Sequence, residues 1–185
     1  MKRCVAAVTL LVVTCMGLSK SRGQEDVAFV ATPHDVVSRM LALAELRPSD
    51  VVYDLGCGDG RIVALAARRH GCKGVGIDIN PARVRDSLAL VRRHDVAHLV
   101  KIERANIFDV DLRPASVVFL YLLPELNVKL LPQLRQLQPG SRVVSHLHGI
   151  AGAAPAKTLR YRSREDGVEH ALHLWITPIR RTEKP

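Results

Sequence analysis

Three glycines within five residues, placed between an apolar segment and an amphipathic one, constrain the fold of this chain more than any other feature. Residues 51–55 have the composition of a buried strand, and residues 61–70 carry apolar side chains at helical spacing. A chain that turns at once from strand to helix needs backbone conformations that glycine adopts without strain, and bare backbone lets a ligand come close. The sequence therefore predicts a ligand site at the loop Asp54-Leu55-Gly56-Cys57-Gly58-Asp59-Gly60.

Predicted strands and helices alternate along the rest of the chain. Strands are predicted at residues 51–55, 74–78, 99–104, 116–122 and 142–146, and helices at 33–47, 61–70, 81–94 and 126–137. Two further β-like stretches, 157–163 and 170–177, flank the turn-forming residues 164–167. This order predicts an α/β fold with a Rossmann-like, doubly wound seven-strand sheet, mostly parallel with a C-terminal antiparallel hairpin strand.

Capping signals predict where two of the helices begin. Thr32 is a preferred N-cap residue, Pro33 suits the first helical position, and Asp35 completes a capping-box pattern. Asn80 and Pro81 repeat the cap-plus-proline start before the third predicted helix.

The spacing and charge of the glycine loop predict which cofactor it binds. A dinucleotide fingerprint reads G-x-G-x-x-G, whereas this loop reads G-x-G-x-G with an acid two residues ahead. A carboxylate there would repel a pyrophosphate but can hold an ammonium group through a charge-assisted hydrogen bond. S-adenosylmethionine has an ammonium and a sulfonium and no phosphate, so we expect it to be the cofactor. Its binding residues in the loop are then Asp54, Leu55, Gly56, Gly58 and Gly60.

Two later positions complete the predicted cofactor site. Asp78 ends the second predicted strand, where a carboxylate can accept hydrogen bonds from both ribose hydroxyls, and Ile79 beside it is assigned to the same site. The alternative for Asp78 is a helix-capping acid. Asn106 and Ile107 follow the third predicted strand, where a polar side chain can face the adenine amino group and an apolar one can pack on the ring. The alternative for Asn106 is a loop asparagine in a turn.

The first 23 residues differ from the rest of the chain. Lys2 and Arg3 precede an uncharged, apolar run of 14 residues, 5–18, and a short polar stretch follows. This layout is typical of a secretory signal, with Ser21 and Gly23 at the positions that precede cleavage, although an uncleaved membrane anchor or a lipid-modified Cys15 are alternatives. We therefore predict a signal peptide or N-terminal anchor at 1–23, an exported or membrane-anchored protein, and one domain at 24–185.

Charge and cysteine content narrow the functional classes. The full chain has a net charge of +9, but removing residues 1–23 leaves 23 basic against 18 acidic residues, so a nucleic-acid partner is not favoured. Cys57 and Cys72 lie at opposite ends of a predicted helix, too far apart to form a disulfide. His146 and His148 are predicted to share one face of a strand, with no carboxylate completing a set of ligands, so no metal site is predicted.

With these residues in place, the chain resembles the class I, seven-strand methyltransferases that use S-adenosylmethionine. It is most similar to a small family of protein-lysine N-methyltransferases, which includes mitochondrial enzymes acting on the ATP synthase c-subunit and the adenine nucleotide translocase, and bacterial relatives. The resemblance covers residues 29–145. It rests on the blocks Phe29-Val30-Ala31-Thr32-Pro33, 54–63, Gly76-Ile77-Asp78, Tyr121-Leu122-Leu123-Pro124 and Arg142-Val143-Val144-Ser145-His146.

The resemblance implies where the methyl acceptor binds. Tyr121 stands where related N-methyltransferases line the methyl-transfer channel, the carbonyls before Pro124 can accept from an amine, and Glu125 can attract a cationic lysine. The alternatives are a packed core aromatic for Tyr121 and a helix N-terminal acid for Glu125. Two departures stand out: bacterial relatives tend to have Gly-Asp where this chain has Ala105-Asn106, and often Asp-Phe where it has Leu147-His148.

Three functions follow as hypotheses. The first is N-methylation of a protein lysine or another amine, by a monomer with possible membrane association through its N-terminus. The second is an RNA or small-molecule methyltransferase, which would use the same cofactor site. The third is a non-catalytic cofactor-binding or interaction module.

Overall fold

The computed structural model describes residues 30–182, so the prediction for residues 1–23 lies outside the described residues. No helix in the described range is both long and apolar enough to cross a membrane. The elements, in chain order, are α1 (His34–Ala44), β1 (Val51–Leu55), α2 (Arg61–His70), β2 (Lys73–Asp78), α3 (Pro81–Arg93), β3 (Val100–Arg104), β4 (Val117–Leu120), α4 (Pro124–Leu134), β5 (Arg142–His146), β6 (Lys157–Arg162) and β7 (Glu169–Ile176).

The strands form a seven-stranded sheet in the order β3-β2-β1-β4-β5-β7-β6. Strands β1 to β5 pair in parallel, while β7 is antiparallel to both of its neighbours, β5 and β6. The strand order reverses between β1 and β4, and ligands of open α/β sheets bind beyond the carboxyl ends of strands at such a point. The predicted fold class, including its antiparallel hairpin strand, is confirmed.

Helices cover both faces of this sheet. Apolar side chains of α1 and α2, together with Val91 of α3, pack on one face, against core residues such as Val52, Phe119 and Leu172. The leucines of α4 pack on the other face, against Leu55, Leu120 and Trp175. Burial on both faces explains why β4 is uniformly apolar and fully buried.

The structure corrects several predicted boundaries. Helix α1 begins at His34 after Pro33, and no side chain caps it, so the prediction of a capping box at Thr32 and Asp35 is wrong. Helix α4 begins at Pro124, two residues before its predicted start, because proline is accommodated in the first turn, where its missing N–H costs nothing. The predicted cap at Asn80 is confirmed, since its side chain accepts a hydrogen bond from the Ala82 N–H.

Candidate active site

The glycine loop lies at the carboxyl end of β1, beside the point where the strand order reverses. The backbone N–H groups of Gly56 and Cys57 both donate to the carbonyl of Ile77 on β2, at 2.8 and 2.9 Å. The N–H of Gly60 donates to the Cys57 carbonyl at 2.8 Å, which closes the turn into α2. These bonds hold the loop against the end of β2, with its backbone toward the ligand side.

All three loop glycines have positive φ, and Gly56 and Gly60 also leave little room for a side chain. Gly56 has φ +79° and Gly60 has φ +80°, in the left-handed region that side chains disfavour. A Cβ on Gly56 would lie 3.0 Å from a methyl of Leu122, and one on Gly60 would lie 3.0 Å from the Cβ of Ser87. The Ser87 hydroxyl also donates to the Gly58 carbonyl at 2.7 Å, so α3 packs tightly on the loop.

Asp54 is the group in this site most in need of a partner. Its side chain is buried, and its Oδ2 has no hydrogen-bond partner among the described residues. Burial, reinforced by the negative charges of Asp59 and Asp78, raises the pKa of Asp54 to about 8. A buried, unpaired carboxylate is costly, and an ammonium group placed against Oδ2 would remove that cost. The donor set therefore fits the ammonium of S-adenosylmethionine, as the charge pattern predicts.

Asp78 is fixed at the end of β2 by two backbone groups. Its Oδ2 accepts from the Gly58 N–H at 2.9 Å, and its Oδ1 accepts from the Asn80 N–H at 2.8 Å. A carboxylate has four lone-pair positions, so both oxygens keep capacity for ribose hydroxyls. Because Asn80 itself caps α3, Asp78 does not take the alternative role of helix cap. Ile79 beside it is exposed.

The predicted adenine residues lie in a turn after β3. Asn106 Oδ1 accepts from the Phe108 N–H at 3.1 Å, so its side chain shapes the turn, in agreement with the alternative interpretation. Its amide N–H₂ group is not used in that bond. Ile107 beside it is partly buried against the α4 side of the core. Their roles toward adenine stay predictions.

Arg61 is a site residue that the sequence pattern did not indicate. Its guanidinium pairs with Asp59 at 2.6 Å and donates to the Thr32 carbonyl, also at 2.6 Å. Burial alone would raise the pKa of Asp59, but the hydrogen bonds and charge of Arg61 outweigh it and lower that pKa. The loop is thereby tied to the segment before α1. Asp59 and Arg61 are only two residues apart, so their ion pair is local. Nothing in the sequence indicates that Arg61 also contacts Thr32.

The predicted acceptor residues follow β4. Tyr121 comes directly after the strand and is partly buried, Pro124 opens α4, and Glu125 lies exposed in the first turn of that helix. Burial, with a smaller contribution from the charge of Asp166, raises the pKa of Tyr121, so its phenol is protonated at neutral pH. Tyr121 can therefore orient an acceptor by hydrogen bonding but is not a phenolate base.

The histidines are arranged differently from the prediction. Strand β5 ends at His146, and Leu147 has φ +66°, so His148 does not continue the strand face. His146 Nε2 lies 2.8 Å from His170 Nδ1, and His170 Nε2 lies 3.1 Å from an oxygen of Asp166. A carboxylate thus hydrogen-bonds to this histidine pair, a contact that the sequence did not indicate. Among the described residues no three groups are placed to hold a metal ion.

His146 also contacts the predicted acceptor residue. The ring centroids of His146 and Tyr121 are 4.1 Å apart, and Thr32 Oγ1 lies 3.2 Å from His146 Nδ1. Burial, together with the neighbouring His170 and His148, lowers the pKa of His146 to about 4, although the charge of Asp166 opposes the shift. The ring is therefore neutral at physiological pH.

The two described cysteines are buried, and their thiols favour the protonated form. Cys57 and Cys72 are free and buried, as predicted from their spacing. Burial, and for Cys57 the charge of Asp54, raises the pKa of each thiol. Cys57 instead fills the space under the loop, within hydrogen-bonding distance of Ser87.

The reversed strand order, the glycine loop and the unpaired acid before it define an S-adenosylmethionine-dependent methyltransferase of the class I fold. Residues 54–157 match the model of a family described as the ANTKMT methyltransferase domain. The chain belongs to this family, as the resemblance of its sequence blocks predicted.

Individual relatives agree on the class and cover most of the chain. A protein-lysine N-methyltransferase from Saccharolobus islandicus is 42% identical over 153 residues, which are 81% of this chain and 93% of the relative. A crystal structure described as an RNA methyltransferase from Salinibacter ruber, in complex with S-adenosyl-L-homocysteine, is 43% identical with a TM-score of 0.73. The match spans 84% of this chain and 97% of that one. A Caenorhabditis elegans lysine N-methyltransferase, named for the ATP synthase c-subunit, is 30% identical over 59% of this chain and 58% of its own length.

Proposed function

We propose that this protein transfers a methyl group from S-adenosylmethionine to a lysine side chain of another protein. The observation that supports this most directly is the 42% identity to a protein-lysine N-methyltransferase along nearly its whole length. The cofactor supplies a methyl group already activated by a sulfonium. The protein must align the lysine nitrogen, exclude water and let the ammonium lose a proton.

The acceptor side of the site suits an uncharged amine. Tyr121 and His146 are both neutral at physiological pH, for the reasons given above. The nearby Arg61 is paired with Asp59 and so does not add an unbalanced positive charge. A lysine nitrogen that has entered this environment is favoured in its neutral, nucleophilic form, because a buried charge without a partner is costly.

The surface around the acceptor residues favours a protein over RNA or a small molecule. Residues 121–127 and 147–150 contain no lysine or arginine to bind phosphates, and Leu123 and Leu147 are exposed. The hollow beside Pro124 is open to solvent, so it would not enclose a small molecule. It is lined mainly by apolar groups, including Ile150, Ala153, Pro155 and Trp175, with His173 and Thr158 beside them.

The test is to identify the methylated product. Purified protein is incubated with methyl-labelled S-adenosylmethionine and a lysate, and labelled polymers are digested with protease or with ribonuclease. We expect protease-sensitive label that amino-acid analysis identifies as methyllysine. Ribonuclease-sensitive label would overturn the proposal in favour of the RNA activity named for the Salinibacter ruber structure. Label in neither polymer would favour a small-molecule acceptor or a non-catalytic module.

Substitution of Tyr121 tests its role in the same assay. Tyr121→Phe removes the hydroxyl but keeps the ring against His146. We expect kcat to fall about tenfold, because one oriented hydrogen bond to the reacting amine is lost, with little change in cofactor affinity. An unchanged kcat would leave Tyr121 as a packing residue only.

We also propose that residues 1–23 direct the protein out of the cytosol or anchor it in a membrane. The support is the basic start, the 14-residue apolar run and the small residues at 21 and 23. N-terminal sequencing of the natural protein distinguishes the two cases, since a cleaved signal gives a new terminus near residue 24. A retained Met1 with a soluble protein would contradict both.

A further inference from the structure

A chain of hydrogen-bonded side chains runs from the surface through His146, whose ring packs on the predicted acceptor residue Tyr121. It begins at Asp166 in the turn between β6 and β7, whose side chain is 38% exposed, and passes through His170 on β7 to His146 at the end of β5. It ends at Thr32, which precedes α1. His146, only 1% exposed, packs its ring on Tyr121. The hydrogen-bonded chain and Tyr121 therefore bring together four segments that are far apart in sequence: residues 32, 121, 146 and 166–170.

The carboxylate at the outer end fixes the direction of each bond. Hydrogen bonds from the Val168 N–H and from His170 lower the pKa of Asp166, so it is ionised and can only accept. In its neutral form, His170 then donates through Nε2 to Asp166 and accepts through Nδ1. His146 in turn donates through Nε2 to His170, and its Nδ1 accepts from the Thr32 hydroxyl. One tautomer is thus selected for each histidine.

We propose that Asp166 and His170 are positioning residues for methyl transfer: they hold His146 as one neutral tautomer and, through its ring, orient Tyr121 at the acceptor site. This inference rests on the proposed function, because it assigns Tyr121 to the acceptor site. A proton added to either histidine must reverse at least one bond of the chain. The rate of methyl transfer therefore depends on the protonation states of His146 and His170, which are linked to Asp166 in the surface turn.

Other charged groups lie on the segments around the cluster. On the hairpin turn, Glu165 accepts from the backbone of α1, and the Arg164 N–H donates to Asp35. The titratable and charged groups around the cluster are those of His34 and Asp35 on α1, Arg61 on α2, Tyr121 after β4, His148 after β5, and Arg164 and Glu165 on the turn.

Asp166→Asn tests the proposal, with Glu169→Gln as the matched control. Both changes remove one negative charge from the same hairpin, but the Glu169 carboxylate pairs with Arg160, whereas that of Asp166 bonds to the His170 ring. Loss of the Asp166 charge makes histidine protonation harder, so we expect the acid limb of the kcat profile to move down by roughly half a pH unit. We also expect plateau kcat to fall about fivefold as the Tyr121 orientation loosens, with cofactor affinity changed less than about twofold.

A readout without any acceptor separates this inference from the proposed function. ¹⁵N NMR of the histidine rings at pH 7.5 should show the Nε2–H tautomer for both His146 and His170, and a mixture for His170 in Asp166→Asn. The opposite tautomers in the unsubstituted protein would overturn the inference. So would the same tautomers and the same pH profile in Asp166→Asn and Glu169→Gln. The NMR result stands even if lysine proves not to be the acceptor.

Discussion

At the scale of single residues, Asp54 decides what the site accepts. Its raised pKa of about 8 means that the ligand-free protein holds a proton there at neutral pH. Binding of an ammonium requires the carboxylate, so that proton must leave as the cofactor binds. The feature that selects the cofactor thereby also makes its affinity depend on pH.

We expect cofactor binding at pH 7 to release close to one proton and binding at pH 9 to release only about a tenth of one from Asp54. Affinity should accordingly rise with pH up to about 8 and then level off with respect to this group. Titration calorimetry in buffers of different ionisation enthalpy measures the released proton. Asp54→Asn is the control: it should abolish this release and weaken binding about a hundredfold. If Asp54→Asn released as many protons at pH 7 as the unsubstituted protein, the released proton would not come from Asp54.

At the scale of elements, the packing of α3 on the glycine loop explains the third glycine. Gly60→Ala places a methyl 3.0 Å from the Cβ of Ser87 in addition to the strain of its positive φ. Gly71→Ala has a similar φ of +66° and nothing within 4 Å, so it carries the backbone strain alone.

We expect Gly71→Ala to destabilise the protein by about 1 kcal/mol and Gly60→Ala by about 2–3 kcal/mol. Only Gly60→Ala should also weaken cofactor binding, because α3 must shift from the loop. Urea unfolding and calorimetry of both variants measure the two effects. Equal losses of stability, with unchanged binding, would show that Ser87 moves aside without disturbing the loop.

The elements themselves were largely predictable, because their signals are local. Alternating apolar segments gave all seven strands, and Asn80 with Pro81 marked the start of α3 correctly. The acids and glycines of the loop were likewise predictable from the sequence, since they lie within one strand-to-helix turn. The prediction that Thr32 caps α1 was wrong, because its hydroxyl bonds instead to His146, 114 positions away. Contacts of that kind, including those of His170 with His146 and of Arg61 with Thr32, depend on how the elements pack and leave no local signal.

At the scale of the whole molecule, one end of the sheet carries the ligand site and the other carries a buried polar network. The carboxyl ends of the strands hold the site, while Asp50 and Arg142 form an ion pair at the amino ends. Asp50 also accepts from the Arg47 N–H and the Ser116 hydroxyl, each at 2.7 Å. Burial opposes ionisation of Asp50, but these bonds and the charge of Arg142 lower its pKa overall. The network ties β1, β4 and β5 together far from the ligand.

We expect Asp50→Asn to destabilise the protein by about 3 kcal/mol at neutral pH, since it leaves a largely buried arginine without its counter-charge. Because the folded pKa of Asp50 is lowered, its contribution is present above about pH 4 and is lost as pH falls below the ordinary pKa of 3.8. The gap between the two proteins should therefore close in acid. Urea unfolding at pH 7 and pH 3 measures this, and cofactor affinity of the folded variant should be unchanged.

Asp111→Asn is the matched control for charge, because Asp111 forms an exposed ion pair with Arg113 on the surface. Exposed pairs of this kind contribute little, so no measurable change in stability is expected. A comparable loss in both variants would mean that net charge, and not the buried network, sets the difference.

The position of β7 has a consequence for biosynthesis. Because β7 lies between β5 and β6, β5 has a free edge until residues 169–176 have left the ribosome. The strands that hold the cofactor loop, β1 to β3, are joined by short local connections and can pair much earlier. An unpaired apolar strand edge invites association with other chains. We therefore expect the β5 edge to be the surface most open to association late in translation, after β1 to β3 have emerged.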